Sequence, residues 1–211
     1  MRAAARTCFT VSAIGAHRVE TIAGARHAWR FRPHFHAGDE VVRMLAGRAR
    51  LRLPDSCRDV TAGDTVVVPA GVIHRFEPMD DDGWAFASRF VSPAADVVAM
   101  PGSRHALGAR AMALLAGRSS LHTDVEAIAQ ACAVSAGHLS RLFHRETGTS
   151  LHNFHVLLAL HKAKALLRKQ APIIEAALDA GFCDQAHLNR EFARTFGMTP
   201  AGFRAAWAMA S

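Results

Sequence analysis

The segment His138-Leu-Ser-Arg-Leu-Phe-His-Arg-Glu-Thr-Gly148 returns 49 positions later as His187-Leu-Asn-Arg-Glu-Phe-Ala-Arg-Thr-Phe-Gly197. Six residues stay in register: His, Leu, Arg, Phe, Arg and Gly. Two unrelated amphipathic helices would share an apolar period, but not the identity of the arginines between. Upstream, Val125, Ile128 and Ala129 align with Ile173, Ala176 and Ala177 at an offset of 48, and one extra residue near Gly181-Phe182 absorbs the difference. The chain therefore carries an internal duplication.

Working outward, each copy reads as a helix, a short turn and a second helix. Thr123-Asp124-Val125-Glu126 has the spacing of a capping box, with Thr123 as the cap. Val125, Ile128, Ala129 and Cys132 follow on one helical face. Ser135 and Asp184 are placed to cap the second helix of each copy, and Gly148 stands where a left-handed C-terminal residue belongs. Leu139, Leu142 and Phe143, and in the second copy Leu188 and Phe192, form the expected buried faces. A longer helix runs from Leu151 to about Lys169. This is the layout of a helix-turn-helix, whose second helix enters a DNA major groove. Arg pairs bidentately with guanine and Asn or Gln with adenine, so the outward residues suit base edges. Lys162, Lys164, Arg168 and Lys169 suit phosphates.

Asp184-Gln-Ala-His-Leu-Asn-Arg-Glu-Phe-Ala-Arg-Thr-Phe-Gly-Met-Thr-Pro-Ala-Gly-Phe-Arg204 closely resembles the signature segment of AraC/XylS-type transcription regulators. Ser135 to Gly148 resembles its first-unit counterpart, and the resemblance covers about residues 105–207. It implies a seven-helix domain with two recognition helices in successive major grooves. By matching position, the DNA-binding residues would be Ser135, Gly137, Ser140 and Arg141, then Gln185, Ala186, Asn189 and Arg190. Gly137 and Ala186 are smaller than the side chains that members often carry there.

The first half has a different grain. Val41–Leu45, Arg50–Leu53, Thr65–Val68 and Trp84–Ala87 read as short strands, separated by turns such as Ala46-Gly47 and Pro69-Ala70-Gly71, which predicts an antiparallel barrel or sandwich. Within it stands Pro33-His34-Phe35-His36-Ala37-Gly38-Asp39-Glu40. In a strand His34 and His36 face one side, and the Ala37-Gly38-Asp39 turn can return Glu40 to it. His34-x-His36-x3-Glu40-x6-Gly47 and Gly63-x5-Pro69-x-Gly71-x2-His74 resemble the two cupin motifs, and regulators of this family commonly carry a cupin sensor. The resemblance implies a metal set of His34, His36, Glu40 and His74, suited to Zn, Ni, Mn or Fe. The alternative is that these side chains line an organic-ligand pocket or brace the barrel.

The expected architecture is thus two-domain: an all-β cupin (a double-stranded β-helix barrel) over residues 1–95, a linker over 96–104, and an all-α domain over 105–211. Its helix-turn-helix units fall at about 123–148 and 172–197. Charge agrees with a polyanionic partner for the second domain. Residues 101–211 carry 12 Lys/Arg against 7 Asp/Glu, while residues 1–100 carry 13 against 11. Cys8, Cys57, Cys132 and Cys183 include no CxxC pair and read as small buried hydrophobes. His17, His27, His105 and His122 read as surface or loop residues. MRAAARTCFT lacks the apolar run of a signal peptide, and no segment has the length of a membrane span, so a cytoplasmic, non-membrane protein is expected.

The function expected is sequence-specific transcription regulation, with the family bias towards activation, and the cupin sensing a metal or small molecule. Double-stranded promoter DNA and RNA polymerase are the expected macromolecular partners. Little chain separates Pro93 from Leu107, so the protein would be a monomer or a homodimer formed by the cupin. Two alternatives stand beside this non-enzymatic reading. One is a metal-dependent cupin enzyme, such as a dioxygenase or isomerase, fused to a DNA-binding domain. The other is a regulator with a purely structural, dimerising cupin.

Overall fold

The computed structural model describes residues 6–14, 17–27, 32–91 and 101–210. Eight strands come first: β1 (Arg6–Ile14), β2 (His17–His27), β3 (Asp39–Ala46), β4 (Arg48–Arg52), β5 (Cys57–Thr61), β6 (Thr65–Val68), β7 (Arg75–Pro78) and β8 (Trp84–Val91). They form antiparallel sheets ordered β1-β2-β8-β3-β6 and β5-β4-β7. Alternation decides what lies inside. Glu40, Val42 and Met44 share one face of β3, and Ala49 and Leu51 of β4, Val66 and Val68 of β6, and Trp84 and Phe86 of β8 are also buried. Because Glu40 is in phase with the apolar residues of β3, the strand carries a carboxylate inward.

The two histidine motifs meet through a short bridge, in which the His34 and His74 amides each donate to the other's carbonyl at 2.9 and 2.8 Å. At the β3–β4 turn Gly47 adopts a φ of 73°, and a Cβ there would lie 2.4 Å from the Gly83 carbonyl oxygen. Only glycine satisfies both the left-handed backbone and that approach.

Seven helices follow among the described residues: α1 (Ala106–Ala116), α2 (Val125–Ala131), α3 (Ala136–Thr147), α4 (Leu151–Arg168), α5 (Ile173–Ala180), α6 (Gln185–Phe196) and α7 (Pro200–Met209). Both expected caps form, the Ser135 hydroxyl accepting from the His138 amide and the Asp184 carboxylate from the His187 amide. Gly148 and Gly197 end α3 and α6 at φ 68° and 69°, so the duplication is structural as well as sequential. The capping box at Thr123 does not form. Asp124 caps α2 by accepting from the Ala127 amide, while the Thr123 hydroxyl meets His155 Nδ1 at 2.9 Å. A carboxylate one residue later is the stronger acceptor, and a buried histidine gives the hydroxyl another partner.

Cys8, Cys57 and Cys183 are exposed and only Cys132 is buried, so the buried-hydrophobe expectation holds for one of four. The first three lie on outward strand positions or before a helix, where no core reaches them. His105 and His122 are exposed, as expected, whereas the His17 and His27 side chains lie outside the described residues. Most of the expected linker, 96–100, also lies outside them.

The helical half closes one end of the barrel. Phe35 and Ile73, from the barrel's histidine motifs, belong to the apolar cluster built by α1 to α7, and Phe9 of β1 stacks on Phe203 of α7 at 5.2 Å. Polar contacts run through the same seam. Asn153 of α4 donates to the Pro33 carbonyl, and His161 Nε2 lies 3.0 Å from the Phe35 carbonyl oxygen.

Glu20 of β2 is buried and accepts from Arg168 Nη2 at 2.6 Å, Trp207 Nε1 at 3.1 Å and Lys164 Nζ at 3.4 Å. Lys164 and Arg168, expected on phosphates, are thus committed to the domain seam, and Lys162 and Lys169 remain exposed. Their places follow from α4 turning one face to the barrel. Burial by itself would raise the Glu20 carboxyl, but Lys164 and Arg168 reverse this and hold it at about 2.

A carboxyl depressed in the folded state contributes stability that is complete above its ordinary value of 4.5 and is lost as pH falls through about 2. The span is worth on the order of 3 kcal/mol. Glu20→Gln should therefore unfold roughly 5–10 °C below the parent at pH 7. That gap should hold down to about pH 4.5 and shrink below it, as followed by thermal circular dichroism over a pH series. A gap indifferent to pH would contradict the role of charge.

Candidate functional site

Two candidate sites occupy the two halves. In the barrel His34, His36, Glu40 and His74 are all buried. One ring nitrogen from each histidine lies within 4.8 Å of the others, and Glu40 joins through Oε2, 2.9 Å from His74 Nε2 and 3.4 Å from His36 Nε2. The backbone orients the rings. His34 Nδ1 lies 2.8 Å from the Arg32 carbonyl oxygen and His74 Nδ1 lies 3.0 Å from that of Val72. Each Nδ1 hydrogen is thereby placed on a carbonyl, which leaves Nε2 for the centre of the cluster, the usual second tier of a metal site.

The electrostatics follow from burial. Desolvation, with His74 and His36 adding to it, pushes His34 well below its ordinary value, and desolvation also lowers His36. Burial would raise Glu40, but His36 and then His74 outweigh it and hold the carboxyl well below the usual range. The result is two imidazoles kept neutral beside an ionised carboxylate, which is the donor state that a divalent metal takes.

The fit to a metal rests on one atom. His36 Nε2 is buried and makes no well-formed hydrogen bond, its nearest acidic neighbour being the Glu40 oxygen at 3.4 Å. A buried nitrogen with no good partner costs about 1–3 kcal/mol unless something binds it. Nitrogens at roughly 2.1 Å from a common ion are at most about 4.2 Å apart, so rings separated by up to 4.8 Å would draw together to share one. In donor type and burial the set of residues fits a borderline divalent ion.

The cavity over this cluster is small, about 30 Å³, and its lining crosses domains. Ser88 and Phe90 of β8 line it from the barrel, and Thr195 and Phe196 of α6 from the helical half. The Phe196 ring stands edge-on to His34 at 6.3 Å. Neither α6 residue was singled out from the sequence. The one available signal was that Thr195 and Phe196 sit on the buried side of a helix whose other side faces solvent.

The second candidate site is that other side. Ser135, Gly137, Ser140 and Arg141 on α3, with Gln185, Ala186 and Arg190 on α6, are exposed, and Asn189 is half-buried. Leu139, Leu142, Phe143, Leu188 and Phe192 are buried beneath them, as their spacing predicts. The small residue at Gly137 has a neighbour: an added Cβ would lie 3.3 Å from Arg141 Nη1, so the guanidinium occupies the space that a larger side chain would fill. Arg194 pairs with Glu191 at 3.5 Å, and Arg32 of the barrel binds the same carboxylate.

Sequence comparison places both halves. Residues 128–206 match the family of helix-turn-helix domains, and residues 17–98 match the AraC-like ligand binding domain. The chain thus joins an AraC-like ligand binding domain to a helix-turn-helix domain. It is 33% identical over 85 residues to the arabinose operon regulatory protein of Salmonella typhimurium, covering 40% of this chain and 30% of that protein. It is 36% identical over 81 residues to "Probable transcription factor PqrA" of Proteus vulgaris, covering 38% of this chain and 66% of that one. The chain thus spans about a third of the length of the arabinose regulator. Among solved structures, the C-terminal domain of AraT, a response regulator from Geobacillus stearothermophilus, aligns at 27% identity with a TM-score of 0.46, covering 49% of this chain and 88% of that one.

Because α6 presents its outer face only while its first turn is held, Asp184→Ala should cost about 1 kcal/mol of stability and lower the unfolding midpoint by roughly 2–4 °C. Asp184→Asn, which keeps an acceptor, should stay near the parent in the same thermal scan.

Proposed function

We propose that this AraC-type chain binds promoter DNA sequence-specifically through α3 and α6 and acts as a transcription activator whose barrel senses a divalent transition metal. What supports DNA reading is that seven of the eight candidate contact residues are exposed, with Asn189 half-buried, on two helices with matching caps, buried faces and ends. The basic balance of residues 101–211 supports a polyanion there. Activation, with RNA polymerase as the partner, is supported by family resemblance alone.

What supports metal sensing is the buried cluster of His34, His36 and His74 with Glu40, above all the unsatisfied nitrogen of His36. Zn, Ni, Mn and Fe all accept this donor set. When bound, the ion would supply a fixed positive charge where four donors converge. A second reading, an organic effector, is favoured by a different feature. A groove of about 410 Å³ runs between the barrel and the helical half, lined by Leu53, Val67, Ile73, Arg104 and Thr147 among others. The central cavity itself is too small for it, since organic ligands occupy about 300 Å³ or more.

Two measurements test these readings. Purified chain reconstituted with each of the four metals should hold close to one ion by elemental analysis, and His34→Ala/His74→Ala should hold none. Equal metal in both proteins would remove the cluster from the account. For DNA, duplexes selected from a random pool by the parent chain should bind Arg190→Ala or Arg141→Ala about 10–100-fold more weakly in fluorescence anisotropy. Failure to enrich any sequence would refute specific reading.

A further inference from the structure

A buried hydroxyl without a partner is rare, because each one forfeits hydrogen bonds that water would have given it. Thr195 of α6 is such a case: it is wholly buried, and its Oγ1 has no hydrogen-bond partner among the described residues. A threonine inside a helix has a ready local outlet, the carbonyl four residues earlier. Thr147 of α3 uses that outlet, donating to the Phe143 carbonyl at 2.7 Å. Thr195 has the Glu191 carbonyl at the same spacing and leaves it alone.

What Thr195 does line is the small cavity over His36 and Glu40. The two unsatisfied groups, His36 Nε2 from the barrel and Thr195 Oγ1 from α6, therefore share one cavity. At about 30 Å³ the cavity has room for about two or three waters, each needing roughly 10–15 Å³ on this measure.

We infer that Thr195 is part of the sensor site: its hydroxyl hydrogen-bonds a water carried by the metal ion held at His34, His36, Glu40 and His74. This rests on the metal reading proposed above and adds to it a residue from the DNA-binding half. The ion is then bonded, through one water, to the helix that presents Gln185, Asn189 and Arg190 to DNA. Phe196 beside it stands edge-on to His34 and lines the same cavity. Metal affinity thereby depends on α6 being seated on the barrel, and by linkage the ion stabilises that seating by the same factor.

The test compares full-length parent, Thr195→Val and Thr195→Ser for Co(II) binding, using the ion's visible absorption as readout. Loss of one buried hydrogen bond, about 1.4 kcal/mol, is tenfold in affinity. Thr195→Val should bind Co(II) about tenfold more weakly with a shifted absorption band, and Thr195→Ser should restore both. Without metal, Thr195→Val should unfold at or above the parent temperature, since an isosteric methyl replaces an unsatisfied hydroxyl. A variant that is less stable without metal would show that the hydroxyl has a structural partner, and would overturn the inference. Equal Co(II) affinity and spectrum in parent and Thr195→Val would overturn it too, while leaving the metal site standing. Absence of Co(II) binding by the parent chain would bring down both the inference and the metal reading beneath it.

Discussion

A carboxylate taken out of water must meet compensating charge, and Glu20 meets it on the other domain. Lys164 and Arg168 of α4 and the Trp207 indole of α7 converge on a side chain of β2, in a seam that also stacks Phe9 on Phe203. Breaking such a buried pair from one side costs roughly 3–5 kcal/mol, because the stranded charge stays buried. Burial pulls the Lys164 ammonium below its usual value and Arg168 adds to this, with Glu20 opposing; its Nζ also lies 4.8 Å from the Phe196 ring centre. The contacts that hold Glu20 therefore also hold the end of α6 against the barrel.

From that seating the shared site follows. Ser88 and Phe90 of the barrel and Thr195 and Phe196 of α6 line one cavity with His34, His36 and Glu40. A ligand alters a protein only by binding one arrangement better than another. On the metal reading proposed above, an ion that used both walls would favour the seated arrangement, whereas an organic molecule too large for about 30 Å³ would have to unseat α6 or bind elsewhere. Barrel and helices thus meet in direct contact at this seam.

Much of this was legible in the sequence, for reasons that differ by element. The duplicated helices were readable because caps, apolar period and terminal glycine all pointed one way, and Ser135, Asp184, Gly148 and Gly197 sit as read. Strands β3, β4, β6 and β8 were visible from short apolar runs between turns. Strands β1, β2, β5 and β7 were not picked out: β5, Cys57–Thr61, buries only Val60 and so has almost no pattern to show. Of the four candidate metal ligands, His34 and His36 were readable because i, i+2 spacing survives in an extended chain, and Glu40 and His74 came from the resemblance to the cupin motifs. Thr195, Phe196 and Glu20 were not, because their roles depend on which faces of two domains meet. The same blindness assigned Lys164 and Arg168 to phosphate: a basic residue reads alike whether its anion is DNA or a buried glutamate.

Calorimetry of the metal-free chain tests the central claim, that barrel and helices form one body through this seam, most directly. The account predicts a single unfolding transition whose calorimetric and van't Hoff enthalpies agree, since neither half can open without exposing the other's core and stranding Glu20 or its cations. Two separable transitions, with the helical half melting independently of the barrel, would contradict it.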